Sequence, residues 1–285
     1  MTSCTVFPGI QIVYNDLKLL HCGRRVPKTE EIVEINYCME GRYECEVSSQ
    51  YCFYARAGDL SVGNAGRREA AGSFPTGRFC GLTIFVELSS AREHNAFILR
   101  EMEIDLDVIR LLALQEPRRF YIRGREEIDA VCQQMVSAVT GCAFPLLKLK
   151  TLELLMQISN PELLSGSDIP AYLSQKNVQL EKNVKQRVTD DLSCHWTLQQ
   201  LSEEFHASPT AIKSAFKNVY GESIREHMKA LRLQEAQRLL RESDLPIAEV
   251  AEMVGCANPG HFAVAFREKF AMTPGNYKKL IRSDW

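Results

Sequence analysis

Two stretches of this chain repeat each other, and the repetition constrains its carboxy-terminal half more than any other feature. Leu198, Leu201 and Phe205 recur as Ile247, Val250 and Val254 at an offset of 49, while Ile212 and Phe216 recur as Phe262 and Phe266 at an offset of 50. One residue is thus added in the second turn. The punctuation repeats as well. Ser208-Pro209 and Asn258-Pro259 each set an N-cap residue before a proline at the first helical position, where a missing N–H costs nothing. Each copy predicts a short helix (Thr197 to Glu204; Ile247 to Val254), a tight turn (His206-Ala-Ser208; Gly255-Cys-Ala-Asn258) and a second amphipathic helix. Thr197 with Gln200, and Ser223 with Glu226, spell capping boxes.

A short helix, a tight turn and a second amphipathic helix make a helix-turn-helix, whose second helix is dimensioned for the major groove of DNA. Here there are two. The connector from Ser223 to Arg241 carries Ile224, Met228, Leu231, Ala236, Leu239 and Leu240 on an apolar face. It spans on the order of 30 Å, near the ~34 Å between successive turns of one groove, so a single chain can set both reading helices on the same side of a duplex. Helix pairs rich in Leu, Ala and Phe are more often plain bundle core; the duplicated and capped pattern favours DNA binding instead.

These residues also resemble a family. Leu198-x-x-Leu201, Ser208-Pro209, Ile212-x-x-x-Phe216, Gly221, Arg232-Leu233-x-x-Ala236, Leu239-Leu240, Ile247-Ala248-Glu249-Val250-Ala251, Gly255, Phe262-x-x-x-Phe266-Arg267 and Thr273-Pro274-x-x-Tyr277 look like the signature of AraC/XylS-type transcription regulators. More loosely, Tyr37-Cys-Met-Glu-Gly41-Arg42 and Gly58-Asp59-Leu60 are similar to the cupin-like effector and dimerisation domain that such regulators often carry. Two positions depart from the pattern: Cys256 stands where the family usually has Phe, and Ala271 where it usually has Gly. The resemblance implies a dimeric, sequence-specific transcriptional activator in the cytoplasm, responsive to an unidentified small-molecule effector. Its partners would be double-stranded DNA, RNA polymerase and a second copy of the chain, with no cofactor and no membrane.

Helical spacing turns Ala211, Ile212, Ala215, Phe216 and Val219 inward in the first reading helix and leaves Thr210, Lys213, Ser214 and Lys217 outward. Lys213 is the expected base contact, since Lys can donate to guanine O6 and N7; Lys217 is the expected phosphate clamp. The corresponding second face is Gly260, Ala263, Val264 and Arg267, flanked by Asn258, His261 and Lys269. With few donors it suits thymine methyls and phosphates, so it should discriminate bases less than the first. Leu201, Ile212, Phe216, Val250, Phe262 and Phe266 are the expected cores of the two motifs.

The amino-terminal half has another period. Ile10–Tyr14, Glu31–Cys38, Tyr43–Val47, Tyr51–Tyr54 and Leu82–Val86 read as β segments separated by turn residues at Gly41, Gly58-Asp59, Gly63-Asn64 and Gly77. After Glu87 the pattern turns helical. Ile128, Val131, Cys132, Met135, Val136 and Val139 share one face over Glu126 to Val139, and the leucine-rich Leu146 to Ile158 reads as a helix buried on more than one side. This helical hairpin, within 126–158, is the expected dimer interface. The fold class is therefore α+β in two domains: an antiparallel β-barrel or sandwich with a helical hairpin over 1–164, a linker over 165–175, and an all-α double helix-turn-helix over 176–285.

Catalysis finds no support, because only His21 and His94 precede residue 190 and no Gly-rich phosphate loop occurs. No metal set is expected. The ten cysteines are scattered without a C-x-x-C pair, as structural thiols of a reducing compartment would be. Two rivals to an effector-responsive regulator stay open: a ligand-independent dimeric regulator, and a thiol sensor using Cys4, Cys22 or Cys80. Arg24, Arg25, Arg67 and Arg68 could receive an anionic effector, although a solvated face explains them as well. The net charge of -2 argues at face value against nucleic acid. Divided, it does not: residues 1–165 hold 18 basic and 21 acidic side chains, and residues 166–285 hold 16 and 15. Few phosphate contacts and a moderate salt dependence are expected.

Overall fold

A computed structural model of the chain describes residues 2–22, 31–46, 51–65, 72–114, 120–160, 173–256 and 258–283. The chain divides into two compact units, Met1–Gln175 and Lys176–Trp285.

In the first unit β1 (Thr2–Phe7), β2 (Ile10–Leu17), β4 (Ile32–Glu46), β6 (Asp59–Asn64), β8 (Phe79–Glu87) and β9 (Phe120–Arg123) form an antiparallel sheet. Their order is β1-β2-β8-β4-β6-β9. The second half of β4 leaves β6 and pairs instead with β5 (Tyr51–Arg56), which β10 (Leu173–Ser174) extends. A separate two-stranded ladder joins β3 (His21–Cys22) to β7 (Gly72–Ser73).

Among the described residues this sheet is open, with β1 and β9 as edges, and not a closed barrel. Its strands also differ from the expected set at Gly41. Two segments expected to be separate strands are one 15-residue strand, because Gly41 is not a hairpin turn. It has φ +87°, and a Cβ there would lie 1.9 Å from the Arg78 carbonyl oxygen, so the strand bends past β8 instead of reversing. Gly63 and Asn64 likewise belong to β6, opposite Glu34 and Val33, and do not form a turn. The alternation of Leu60, Ser61 and Val62 was masked by its flanking glycines.

The two faces of the sheet differ. Ile12, Ile35, Leu60, Val62, Leu82 and Ile84 pack with α1 (Leu88–Glu101), α2 (Leu106–Leu114), α3 (Glu126–Thr140) and α4 (Phe144–Ser159) through Leu99, Ile109, Met135 and Leu154. The other face holds a polar row that is nonetheless buried: Thr83, Asn36, Ser61 and Tyr121 stand opposite one another on β8, β4, β6 and β9. Asn15 Nδ2 donates to Thr83 Oγ1 (3.0 Å), Thr83 Oγ1 to Asn36 Oδ1 (2.8 Å) and Asn36 Nδ2 to Glu34 Oε1 (2.6 Å). The leucine-rich α4 is not covered on every side, for Phe144, Leu146, Leu149 and Met156 are exposed.

The stretch read as a linker, 165–175, lies mostly outside the described residues, as do Arg24, Arg25, Arg67 and Arg68. Its end is strand β10, where Leu173 pairs with Cys52. The second unit is helical: α5 (Gln175–Asp190), α6 (Leu198–Phe205), α7 (Pro209–Tyr220), α8 (Ile224–Glu242), α9 (Ile247–Met253), α10 (Pro259–Phe270) and α11 (Pro274–Ser283).

Candidate nucleic-acid interface

Capping side chains fix where each reading helix begins. Ser208 Oγ accepts from the Ala211 N–H at 3.2 Å at the start of α7, and Asn258 Oδ1 accepts from the N–H groups of Gly260 (2.9 Å) and His261 (3.1 Å) at the start of α10. Thr197 and Gln200 close a capping box on α6, as Ser223 and Glu226 do on α8. Behind these starts the aromatic residues lock the helices. Phe216 packs on Tyr220 (ring centroids 4.5 Å) and His227, while Phe266 packs on Phe270 (4.5 Å), Phe262 and Tyr277. Leu201, Ile212, Phe216, Val250, Phe262 and Phe266 are all buried.

On α7 the structure exposes Thr210, Lys213, Ser214 and Lys217 together. Ala211 is exposed too, whereas the sequence pattern turned it inward; it sits in the first turn, before the helix meets its core. On α10, Gly260, His261, Val264, Arg267 and Lys269 are exposed and Ala263 is half-buried. Lys269 and the Asn258 cap residue are already engaged. The Asn258 oxygen serves the cap, and Lys269 Nζ donates to the Ala230 carbonyl on α8 at 2.7 Å. Val264 presents the largest free apolar surface of this face, 50% exposed.

The loop between α5 and α6 does something the sequence did not reveal. Arg232 of α8 donates from Nε to the Leu192 carbonyl (2.7 Å) and from Nη2 to the Cys194 carbonyl (2.9 Å). His195 Nε2 lies 2.8 Å from the Gly255 carbonyl, which can only accept, so Nε2 carries the proton. Gly255 has φ +74°, and a Cβ there would come within 2.8 Å of the Leu192 carbonyl oxygen. The loop that enters the first motif is thereby fastened to the turn of the second. Arg232 stood in the sequence signature, but nothing local shows what it holds.

Both reading helices border one groove of about 1120 Å³, lined by Lys213 from α7, by Asn258, His261 and Ala265 from α10 and its cap, and by the start of α8. Arg225 and Lys229 project from α8 at i and i+4; both are exposed, and spacing alone gave no reason to single them out.

A family profile described as a helix-turn-helix domain matches residues 201–280. The RCS-specific HTH-type transcriptional activator RclR of Escherichia coli is 33% identical over 87 residues, 30% of this chain and 31% of that protein. The HTH-type transcriptional activator RhaR of Pectobacterium atrosepticum is 23% identical over 176 residues, 58% of this chain and 59% of that protein. A solved structure of a probable AraC family transcriptional regulator from Rhodopseudomonas palustris is 25% identical, covers 36% of this chain and 97% of its own, and superposes with a TM-score of 0.34. The chain thus spans less than two thirds of the length of either curated relative.

Proposed function

We propose, from the premise that residues 201–280 form a helix-turn-helix domain of the AraC type, that the chain is a sequence-specific DNA-binding transcription regulator. The observation that carries this reading is the pair of capped reading helices bordering one groove and joined by α8, whose 19 residues span about 28 Å. Thr210, Lys213, Ser214 and Lys217 supply donors for base edges and phosphates under α7; Gly260, His261, Ala263, Val264 and Arg267 form the methyl- and backbone-contacting face of α10. Asn258 and Lys269 act through the cap and through α8. Selection of duplexes from a random-sequence library, followed by fluorescence anisotropy, tests this: two recognition elements about one helical turn apart are expected. No preference among sequences, with or without cell extract, would sink it.

Activation through RNA polymerase is the direction suggested by the activator names of both relatives. The amino-terminal unit is the proposed effector domain, an open version of the cupin-like arrangement. Support comes from the polar row of β8, β4, β6 and β9: the buried Ser61 hydroxyl has no hydrogen-bond partner among the described residues. Leaving such a group unsatisfied costs about 1–3 kcal/mol, so this face carries polar capacity that packing within the unit leaves unused. Screening metabolites by thermal shift on the full chain separates this from a ligand-independent regulator, because an effector raises the melting temperature. The exposed Leu146, Leu149 and Met156 of α4 are the proposed homodimer contact. Of the described candidates for thiol sensing, burial pushes the Cys4 thiol up, away from the thiolate a sensor needs, and Cys80 is buried with its sulfur 3.3 Å from the Tyr14 hydroxyl. The Cys22 side chain lies outside the described residues. Among the described residues no helix is long and apolar enough to cross a membrane.

A further inference from the structure

The near-neutral charge of the helical unit conceals a local excess. Four cationic side chains line the groove between the reading helices, Lys213, Arg225, Lys229 and Arg232, against one carboxylate, Glu226. That carboxylate is occupied, since its Oε2 accepts from both the N–H and the hydroxyl of Ser223 at 2.8 Å. The unit's other described acidic side chains do not line the groove. Arg225 and Lys229 are neighbours on one helical face, about 5–6 Å apart at Cβ, where like charges repel. Lys229 reaches Glu268 only at 3.4 Å between two largely exposed groups, and Arg225 makes no ion pair among the described residues. The first turn of α8 also opens here: Ser223, Ile224 and Arg225 line the groove, with the positive end of a 19-residue helix behind them.

We propose that this groove seats the DNA backbone that passes between the two major grooves, and that Arg225 and Lys229 grip its phosphates. This rests on the DNA-binding reading above and adds residues outside the reading helices to it. The placement follows from geometry. The amino-terminal residues of a reading helix meet base edges, and Lys213 and His261 come from the first two turns of the two helices, so the strand joining their two sites must cross the space between. Arg225 and Lys229 stand at that crossing. Contacts of this kind carry affinity and register but no base preference.

The test compares the full chain with the R225Q/K229Q variant on a duplex that the wild type has itself selected from a random library. Anisotropy titrations run from 50 to 200 mM KCl. Each phosphate contact contributes about 0.9 to the logarithmic salt slope, so the variant's slope should be shallower by about 2. Its loss of affinity across that range should be about tenfold smaller than that of the wild type. The ratio of affinities for selected and scrambled duplexes should stay the same. Methylphosphonates placed between the two recognition elements should weaken the wild type and leave the variant unaffected. An unchanged slope in a folded variant, or equal methylphosphonate losses in both proteins, would overturn the proposal while leaving the DNA-binding reading intact. So would displacement of phosphate or citrate from the groove with no change in duplex binding, which would mark a small-anion site. If the wild type selects no duplex, both readings fall.

Discussion

A left-handed backbone residue follows the first helix and the second helix of each repeat, but the glycines are dealt differently. In the first copy His206 (φ +50°) stands at the turn and Gly221 (φ +85°) at the end of α7; in the second, Gly255 (φ +74°) takes the turn and Ala271 (φ +59°) the end of α10. An L-residue in this conformation loses about 1 kcal/mol to its Cβ. Ala271→Gly should therefore stabilise the helical unit by about 1 kcal/mol, read as a higher urea midpoint. Gly255→Ala should cost about 2 kcal/mol or more, because strain adds to the collision with the Leu192 carbonyl oxygen. Glu181 on α5 gives a second test. It is fully buried, neither carboxyl oxygen has a hydrogen-bond partner among the described residues, and burial raises its pKa to about 8. The folded state then holds a proton that the unfolded state releases above the ordinary carboxyl range. Stability is full below about pH 4.5 and falls as pH rises towards about 8. Glu181→Gln should flatten that profile and be more stable than the wild type at pH 8 by about 2 kcal/mol, measured by denaturant titration across pH.

At the scale of elements, the proposed function has the two reading helices dividing the work unequally. Lys213→Ala should cost about 1–3 kcal/mol of binding and relax preference at the base pair beneath it. Val264→Ala should cost less than that, and mismatch penalties should concentrate under α7; anisotropy on singly substituted duplexes decides. The elements of this half were readable because their signals are local. Thr197, Ser208, Ser223 and Asn258 mark helix starts within four residues of the groups they cap. Strands β6 and β9 and the long β4 were hard to read for the opposite reason. Whether Gly41 reverses the chain or lets it pass close to Arg78 depends on a strand almost forty residues away. The groove cations were equally hidden, since Arg225 and Lys229 look like any solvated helical face until both reading helices are placed beside them.

At the scale of the whole molecule, the proposed function requires weak footprints to add through pairing of two copies. If α4 pairs two copies through Leu146, Leu149 and Met156, then Leu149→Asp should shift sedimentation equilibrium to the monomer. It should also weaken binding to a duplicated site by about 100-fold, with single-site binding unchanged. The fastening of the 192–195 loop to Arg232 and Gly255 constrains the target as much as the protein. It makes the two reading heads a calliper with a set jaw. One extra base pair between the contacted segments would rotate the far one by about 35° and push it about 3.4 Å along the duplex, and a locked jaw cannot follow. Operators for this chain should share a single internal spacing even where their sequences diverge, and spacing rather than base identity would be the first thing by which a genome search could find them.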